Sequence, residues 1–455
     1  MSTRGAWSSK AGFILAGAGS AVGLGNIWRF PYMTGDNGGA IFVLVFLAFC
    51  FLLGYPVMIA ELTLGRHTEK NPVGMFNSLS GGRPLWKLVG GLCVLSGFTI
   101  FSWYSVIAGW VVGYVYKTAV GAFETQLTNE AIDTIFSNFV SNSPVVMLLH
   151  AVMVFMAAFV VAGGVKGGIE KFSKWLMPIL FALLILLAIR SVTLDGAMEG
   201  LKFYLYPDFS KVSGIMVLKA MGQALFSLSL GMGTMITYGS YLSKKENIAT
   251  SAAWITSFDI LVSVLAGFVI LPAVAAMHQS YAQGPDLIFK VLPSIFGSMP
   301  GGYFFGLGFF TLVIIAALTS TVSILEVPVS YFVDERGWTR KKAVALVACS
   351  AWLIGIPAAL SYGATDFLTR LPGIGASFFD VISTAFGDIS LSIGAFFIAV
   401  FVAWVWGVAK ASKEIESEGN SFALKAPWSF LIRFVAPITI LIVFLYTIWA
   451  TFLSS

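Results

Sequence analysis

Long apolar runs alternate with short polar connections along the whole chain. Runs of about 20 apolar residues are enough to cross a hydrocarbon core of about 30 Å as helices. They fall at residues 11–32, 40–64, 88–116, 144–162, 172–189, 212–242, 248–276, 303–333, 343–360, 374–408 and 428–452. The pattern predicts an all-α polytopic membrane protein with 11 transmembrane helices. Between the seventh and eighth runs, a stretch punctuated by Pro272, Pro285, Pro293 and Pro300 predicts a re-entrant or surface helix.

Two runs depart from the pattern. The first contains Ala16 to Pro31, with Gly17, Gly19, Gly23 and Gly25 inside it and Asn26 and Arg29 directly behind. Each glycine is roughly 1 kcal/mol worse than alanine in a helix interior, so an uninterrupted helix gains nothing from four. The sixth run repeats the oddity: Phe226-Ser227-Leu228-Ser229-Leu230-Gly231-Met232-Gly233 puts hydroxyls and glycines in mid-membrane. Both are expected to be broken helices. Where a transmembrane helix unwinds, its freed carbonyls can hold a cation and its freed amides a carboxylate.

The first run enters from the side of the N-terminus and the sixth from the opposite side. That is the pattern of an inverted repeat of five spans plus five, with one extra helix and a binding site where the two breaks meet. It is read from position and composition, not from identity between the halves. The expected layout is an N-terminal cytoplasmic segment at 1–10, a first repeat at 11–190, an extracellular loop at 191–211, a second repeat at 212–409, a cytoplasmic linker at 410–427 and the last span at 428–455.

Composition narrows the function. Of 455 residues, 58% are hydrophobic and 11% charged, and the mean hydropathy is +0.87; the lipid bilayer is the solvent. With the N-terminus inside, 19 of the 27 Lys and Arg residues fall on the cytoplasmic side and 7 outside, leaving Arg29 at a site. Positive residues are retained inside, so this orientation is expected and the C-terminus lies outside. The net charge of +5 belongs to cytoplasmic loops and implies no nucleic-acid partner. Cys50, Cys93 and Cys349 have neither disulfide nor metal-ligand spacing, and no cleavable signal is expected. His67, His150 and His278 are scattered, with no H-E-x-x-H motif and no nucleotide loop, which argues against an enzyme. A channel would need a continuous polar lining. Here polar residues gather at one depth, which favours alternating access.

Gly19-Ser20-Ala21-Val22-Gly23-Leu24-Gly25-Asn26-Ile27-Trp28-Arg29-Phe30-Pro31, with Asn37-Gly38-Gly39 after it and Gln223 to Gly233 in the sixth span, resembles the neurotransmitter:sodium symporter family. The likeness is to its bacterial amino-acid branch, whose members commonly have 11 spans, and it covers nearly the whole chain. The resemblance implies a bacterial inner-membrane symporter with two sodium sites. One would use carbonyls of Gly19, Val22 and Ala316 with hydroxyls of Thr319 and Ser320. The other would use Ala21, Asn26, Ser227 and Asp259, completed by the substrate's carboxylate. Hard oxygen ligands of this kind suit an alkali ion. Without the resemblance, Thr319 and Ser320 would more often be hydroxyls bonded back to their own helix.

The same resemblance implies the rest of the site. Substrate carboxylate would meet the amides of Leu24 and Gly25 and the hydroxyl of Tyr104. Its ammonium would meet carbonyls of Ala21, Phe226 and Ser227 and the hydroxyl of Ser229. Its side chain would lie among Ile100, Tyr104, Phe226, Met232, Ser320 and Ile324, with Tyr104 and Phe226 as a lid. No acid or base faces that pocket, so leucine, methionine, phenylalanine, tyrosine and tryptophan are the expected candidates, with glycine or another small amino acid as the alternative. A substrate sensor on the same fold is the other reading left open.

Two positions depart from the family. Animal members bind chloride through a serine, which aligns with Ser263; here Asp259 stands four residues earlier, where Asn is usual. Positions i and i+4 share a helix face, so chloride-independent transport is expected, with Asp259 a candidate to take up a proton on the return step. The second departure is the outer gate. The acid that should pair with Arg29 aligns with Ser383, while Asp380 and Asp388 stand nearby. At the inner gate Arg4, Trp7, Ser240, Tyr241 and Asp334 match the family, with Glu326 near them. One sodium ion moving down about 100 mV gains about 2.3 kcal/mol, and a tenfold gradient adds about 1.4 kcal/mol. Two ions would drive accumulation worth roughly 7 kcal/mol.

Overall fold

A computed structural model describes residues 5–123, 128–281 and 287–452. Arg4, expected at the inner gate, lies outside the described residues. Among them the regular elements are helical. Nine helices are long and apolar enough to span a membrane, and a bent pair makes a tenth. They are α3 (Ala40–Thr68), α5 (Pro84–Ala119), α7 (Ser143–Ala162), α8 (Val165–Val192), α12 (Ile248–Ala276), α14 (Gly302–Arg336), α15 (Arg340–Leu360), α16 (Phe378–Ile415) and α17 (Lys425–Thr451), with the bent pair α1 (Lys10–Ala21) and α2 (Gly25–Asp36). The sixth expected span is two pieces, α10 (Gly214–Ser227) and α11 (Thr234–Gly239). Shorter helices decorate the connections: α4 (Pro72–Leu79), α6 (Asn129–Val140), α9 (Ala197–Leu205) and α13 (Val291–Ser298). The last of these is the helix expected from the proline-punctuated stretch.

The helices overrun the apolar runs by a few residues at several ends. α5 starts at Pro84 rather than residue 88, and α16 continues to Ile415 rather than 408. Charged ends still form backbone bonds, because they project into the interface rather than into hydrocarbon. Arg66 is an exception: it is buried at the end of α3, where its Nε donates to Glu414 Oε1 at 2.9 Å and its Nη1 to the Glu246 carbonyl at 2.7 Å. It ties α3, α16 and the connection after α11 together. His67 Nδ1 lies 2.9 Å from the other oxygen of Glu414.

The packing has a rigid side and a broken side. α5, α7, α14 and α15 pack against one another, and the α5–α14 pair is the most extensive contact in the molecule. In α14, 78% of the apolar window is buried, against 28% in α17, so α14 is a core helix and α17 a peripheral one. The broken helices lie against this scaffold. α1 is wedged between α8, α12 and α14, while α10 and α11 both pack on α3. Large apolar residues on outward faces, such as Phe155, Phe159 and Trp404, contact lipid rather than water and carry no penalty there.

Candidate functional site

The break in the first span begins where α1 runs out of helical bonds. Val22 adopts an extended conformation and Ala21 is the last residue of α1; the chain resumes at Gly25 after a bend of 52°. Two freed amides find side chains instead of helix carbonyls: Gly23 N–H donates to Asn26 Oδ1 at 3.0 Å and Leu24 N–H to the Tyr104 hydroxyl at 2.9 Å. Freed carbonyls accept from hydroxyls across the gap. Ser320 Oγ on α14 lies 3.0 Å from Val22 O, 3.3 Å from Ser20 O and 3.5 Å from Gly19 O, and Ser229 Oγ lies 3.1 Å from Ser20 O. Thr319 faces the same turn, since a methyl added at Gly19 would stand 3.2 Å from its Cβ. Its hydroxyl bonds back to Ala316 O and Ile315 O of its own helix, and Ala316 O belongs to the same expected set.

The second break is held open by backbone conformation. Ser229, Gly231 and Gly233 all have positive φ, which for Ser229 costs on the order of 1–2 kcal/mol. Gly231 has no room for a side chain: a methyl there would sit 2.1 Å from the Leu391 carbonyl of α16. Its N–H donates to Glu61 Oε1 at 2.8 Å. Glu61 is a fully buried carboxylate on α3, and the Gly231 amide is the donor that meets it at the second break. Sequence reading placed Glu61 at a span end and gave it no role. Its depth was the available signal, because a carboxylate inside a membrane segment is expensive and retained for cause.

Between the breaks four oxygens converge on one point. The Asn26 amide nitrogen lies 2.9 Å from Ser227 Oγ, 2.6 Å from Asp259 Oδ1, 3.2 Å from Asp259 O and 2.9 Å from Ser263 Oγ. Ser227 Oγ is also 2.9 Å from both carboxylate oxygens of Asp259. All four residues are buried. Asp259 and Ser263, one turn apart on α12, therefore do address the same partner. Oxygens gathered around a buried carboxylate are the type of donor that can hold a hard cation, and in this structure the Asn26 amide nitrogen stands among them. No cluster of three His, Cys, Asp or Glu exists among the described residues, so the hard alkali ions suit this chemistry better than a transition metal.

Beside this cluster lies a cavity of about 30 Å³, lined by Ala21, Gly25, Ile100, Tyr104, Phe226, Ser227, Ser229, Met232, Ser320 and Ile324, together with Gly23 and Leu391. The last two were missed. Gly23 lines it because anything larger would strike Ser320 Oγ and the Tyr104 hydroxyl; Leu391 comes from α16, which no motif connected to the breaks. Leu24 lies on the outer side instead, in a separate vestibule of about 230 Å³ that also holds Trp28, Trp103, Tyr362 and Phe379. Tyr104 and Phe226 line both spaces, so they form the partition between them.

Arg29 stands at the vestibule floor. Its Nη2 lies 3.2 Å from Asp388 Oδ1, and its guanidinium is 4.6 Å above the Phe226 ring. Of the two acids near the aligned Ser383, Asp388 is the one that reaches. Asp380 is engaged in capping α16 through Ser377. Asp388 lies in a π-helical turn of α16 at Thr384–Ile389.

On the opposite side, the Trp7 indole donates to Tyr238 O at 3.0 Å and packs edge-on against Tyr238 and Tyr241. The Tyr241 hydroxyl donates to Glu326 Oε1 at 2.7 Å, and Arg340 forks onto the same carboxylate. Asp334 accepts from Asn71 N–H at 3.0 Å, and Ser240 Oγ bonds back to Thr237 O. Sequence analysis gave Arg340 no role; its buried acid partner Glu326 was the available clue.

Comparison with known proteins places this arrangement. The model of the "Sodium:neurotransmitter symporter family" matches residues 4–139 and 130–453. The chain belongs to this family. It is 41% identical over 444 residues to the "Uncharacterized sodium-dependent transporter YhdH" of Bacillus subtilis, covering 96% of each chain. It is 26% identical to the "Sodium- and chloride-dependent taurine transporter" of Homo sapiens, over 88% of this chain and 71% of that one. Among solved structures, that of MhsT in complex with L-phenylalanine superposes with a TM-score of 0.88 at 43% identity, covering 98% of this chain and 100% of that one. The protein is thus a sodium-dependent, multi-pass membrane transporter and not an enzyme.

Proposed function

We propose that this protein is a sodium-coupled symporter that imports a hydrophobic or aromatic L-amino acid by alternating access, without chloride. The observation that carries this reading is the cavity between the two helix breaks, bordered on one side by the Asn26–Ser227–Asp259 cluster. This reading puts a zwitterion there once the cavity widens: its carboxylate toward the Leu24 and Gly25 amides and the Tyr104 hydroxyl, its ammonium toward freed carbonyls and Ser229, its side chain toward Ile100, Met232 and Ile324. One sodium ion would sit at Asp259, Ser227, Asn26 and the Ala21 carbonyl. Asn26 presents its amide nitrogen to the cluster in this structure; a flip of the amide would present its oxygen to the ion. A second ion would sit among Gly19, Val22, Ala316, Thr319 and Ser320. Asp259 supplies the negative charge that makes chloride unnecessary.

MhsT, the structural neighbour, was solved with L-phenylalanine, which supports a large apolar substrate. The second reading is a small amino acid such as glycine, which needs the cavity of about 30 Å³ to widen least. A larger side chain needs Met232 and Phe226 to move, and Met is among the most adaptable core residues. We place the protein in a bacterial plasma membrane with its N-terminus and the Trp7–Tyr241–Glu326 side in the cytoplasm, in keeping with the bias of Lys and Arg. Arg29 with Asp388, and the partition of Tyr104 and Phe226, act as the outer gate; Trp7, Ser240, Tyr241 and Asp334, with Arg4, act as the inner one.

Equilibrium binding of radiolabelled L-phenylalanine, L-leucine and glycine to purified protein, in sodium gluconate against potassium gluconate, tests this reading. Saturable phenylalanine or leucine binding only in sodium supports it. Binding of glycine alone favours the second reading, and binding that appears only when chloride replaces gluconate removes the role given to Asp259.

A further inference from the structure

Away from the transport site, the outer surface carries a groove of about 630 Å³ between α5, α14 and α15, far roomier than the cavity between the breaks. Its floor is apolar. Gly91 on α5 makes it concave, for a side chain added there would meet nothing within 4 Å. Leu88 and Leu95 on the same helix are among the exposed large hydrophobic residues, and Phe332 and Leu346 face them from α14 and α15. From Lys87 to Phe98 the groove follows α5 for about 16 Å at 1.5 Å per residue. That matches the depth of one leaflet, about half of a 30 Å hydrocarbon core.

The groove has one charged lining residue, Lys87, at the end where α5 begins. A second cation reaches the same end through stacked rings: Phe332 stacks on Trp338 at 4.8 Å, and the Lys342 ammonium lies 4.5 Å from the Trp338 ring centre. No carboxylate is among the described lining residues. The acids closest in sequence, Asp334 and Glu335 at the end of α14, both accept hydrogen bonds from Asn71. An apolar slot one leaflet deep, with the Lys87 ammonium in its lining and the Lys342 ammonium one ring stack behind Phe332, is complementary to a lipid with an acyl chain and an anionic head.

We propose that this groove is a site for one anionic glycerophospholipid, with an acyl chain along α5 over Gly91 and its phosphate held by Lys87 and Lys342. The proposal does not depend on which amino acid is carried. It makes α5, α14 and α15, the rigid side of the molecule, the lipid-anchored side. A cation near a membrane surface contributes about 1 kcal/mol toward an anionic lipid, which is about fivefold in affinity. A zwitterionic lipid, whose choline offsets its phosphate, gains less of that.

The test is native mass spectrometry of the delipidated protein titrated with phosphatidylglycerol or with phosphatidylcholine of the same acyl chains. The first bound phosphatidylglycerol should be favoured over phosphatidylcholine by several-fold. Lys87→Gln should weaken phosphatidylglycerol about fivefold and phosphatidylcholine less. Gly91→Phe, which fills the slot, should remove the first phosphatidylglycerol site; Leu95→Trp fills the same groove from its exposed face if the first variant does not fold. Equal affinity of the wild type for both lipids would overturn the proposal. So would unchanged phosphatidylglycerol binding in a folded slot-filling variant, or a change in that variant from dimer to monomer with lipid binding intact, which would make a second copy of the chain the occupant.

Discussion

Asn26 joins three elements through one amide. Its oxygen accepts from Gly23 N–H in the first break, while its nitrogen meets Ser227 at the end of α10 and Asp259 and Ser263 on α12. Replacing Asp259 by Asn would keep the shape and remove the charge. Hydrogen bonds and ligand contacts to charged groups are worth about 1.5–3 kcal/mol, so Asp259→Asn should weaken sodium-dependent substrate binding in gluconate by ten- to hundredfold. Chloride should restore part of it, because Ser227 and Ser263 remain to donate to an anion. Sodium titrations of substrate binding with and without chloride check this. Tyr104→Phe removes the acceptor of the Leu24 amide and the donor proposed for the substrate carboxylate, and should cost about 1–3 kcal/mol of binding with little change in thermal stability. At this scale the sequence was legible where a residue sits in a long motif, as Asn26 and Tyr104 do by resemblance. It was not legible where partners are chosen by packing: Arg29 meets Asp388, which sits in a π-helical turn of α16, rather than a group at the aligned Ser383.

The two breaks differ in how they are held. The first is spanned by side chains from α5, α12 and α14; the second rests on backbone conformation, a close approach to α16 and the Glu61 carboxylate. Glu61→Ala would leave the Gly231 amide buried without its partner, at about 1–3 kcal/mol, and Gly231→Ala would force a methyl against the Leu391 carbonyl while requiring a left-handed alanine. Both should lower the melting temperature, and Gly231→Ala should lower it more; a fluorescence-detected thermal melt in detergent reads the order. Both breaks were visible in the sequence, since clustered glycines inside apolar runs have no other economical reading. Glu61 was not singled out, because a carboxylate near the end of an apolar run looks like the start of a loop until the helix is seen to continue seven residues past it to Thr68.

At the scale of the molecule, the site lies between a partition on the Arg29 side and a packed plug on the Trp7 side. Outside it stand Tyr104, Phe226 and the Arg29–Asp388 pair, with the vestibule above. On the other side stand Trp7, Tyr238 and Tyr241, locked to Glu326 and Arg340. Opening inward means separating Tyr241 from a carboxylate that Arg340 also holds. Arg340→Ala would leave Glu326 buried without its cation, a loss of about 3–5 kcal/mol when a buried pair is broken from one side. The variant should shift toward the inward-open form, read as faster hydrogen exchange in α1 and at Trp7 than in the wild type. Unchanged exchange there would remove Arg340 from the inner gate. The helical membrane architecture, the broken spans and the family were legible because they are properties of long segments. The closed state was not, because it depends on which side chains meet across helices that no motif connects.

The measurement that tests the account most directly is uptake of labelled L-phenylalanine into proteoliposomes under an inward sodium gradient, with gluconate on both sides. Accumulation above the external concentration, abolished by dissipating the sodium gradient and lost in Asp259→Asn until chloride is supplied, is the predicted result. Accumulation that persists without a sodium gradient, or wild-type uptake that requires chloride, would contradict the coupling assigned to the cluster between the two breaks.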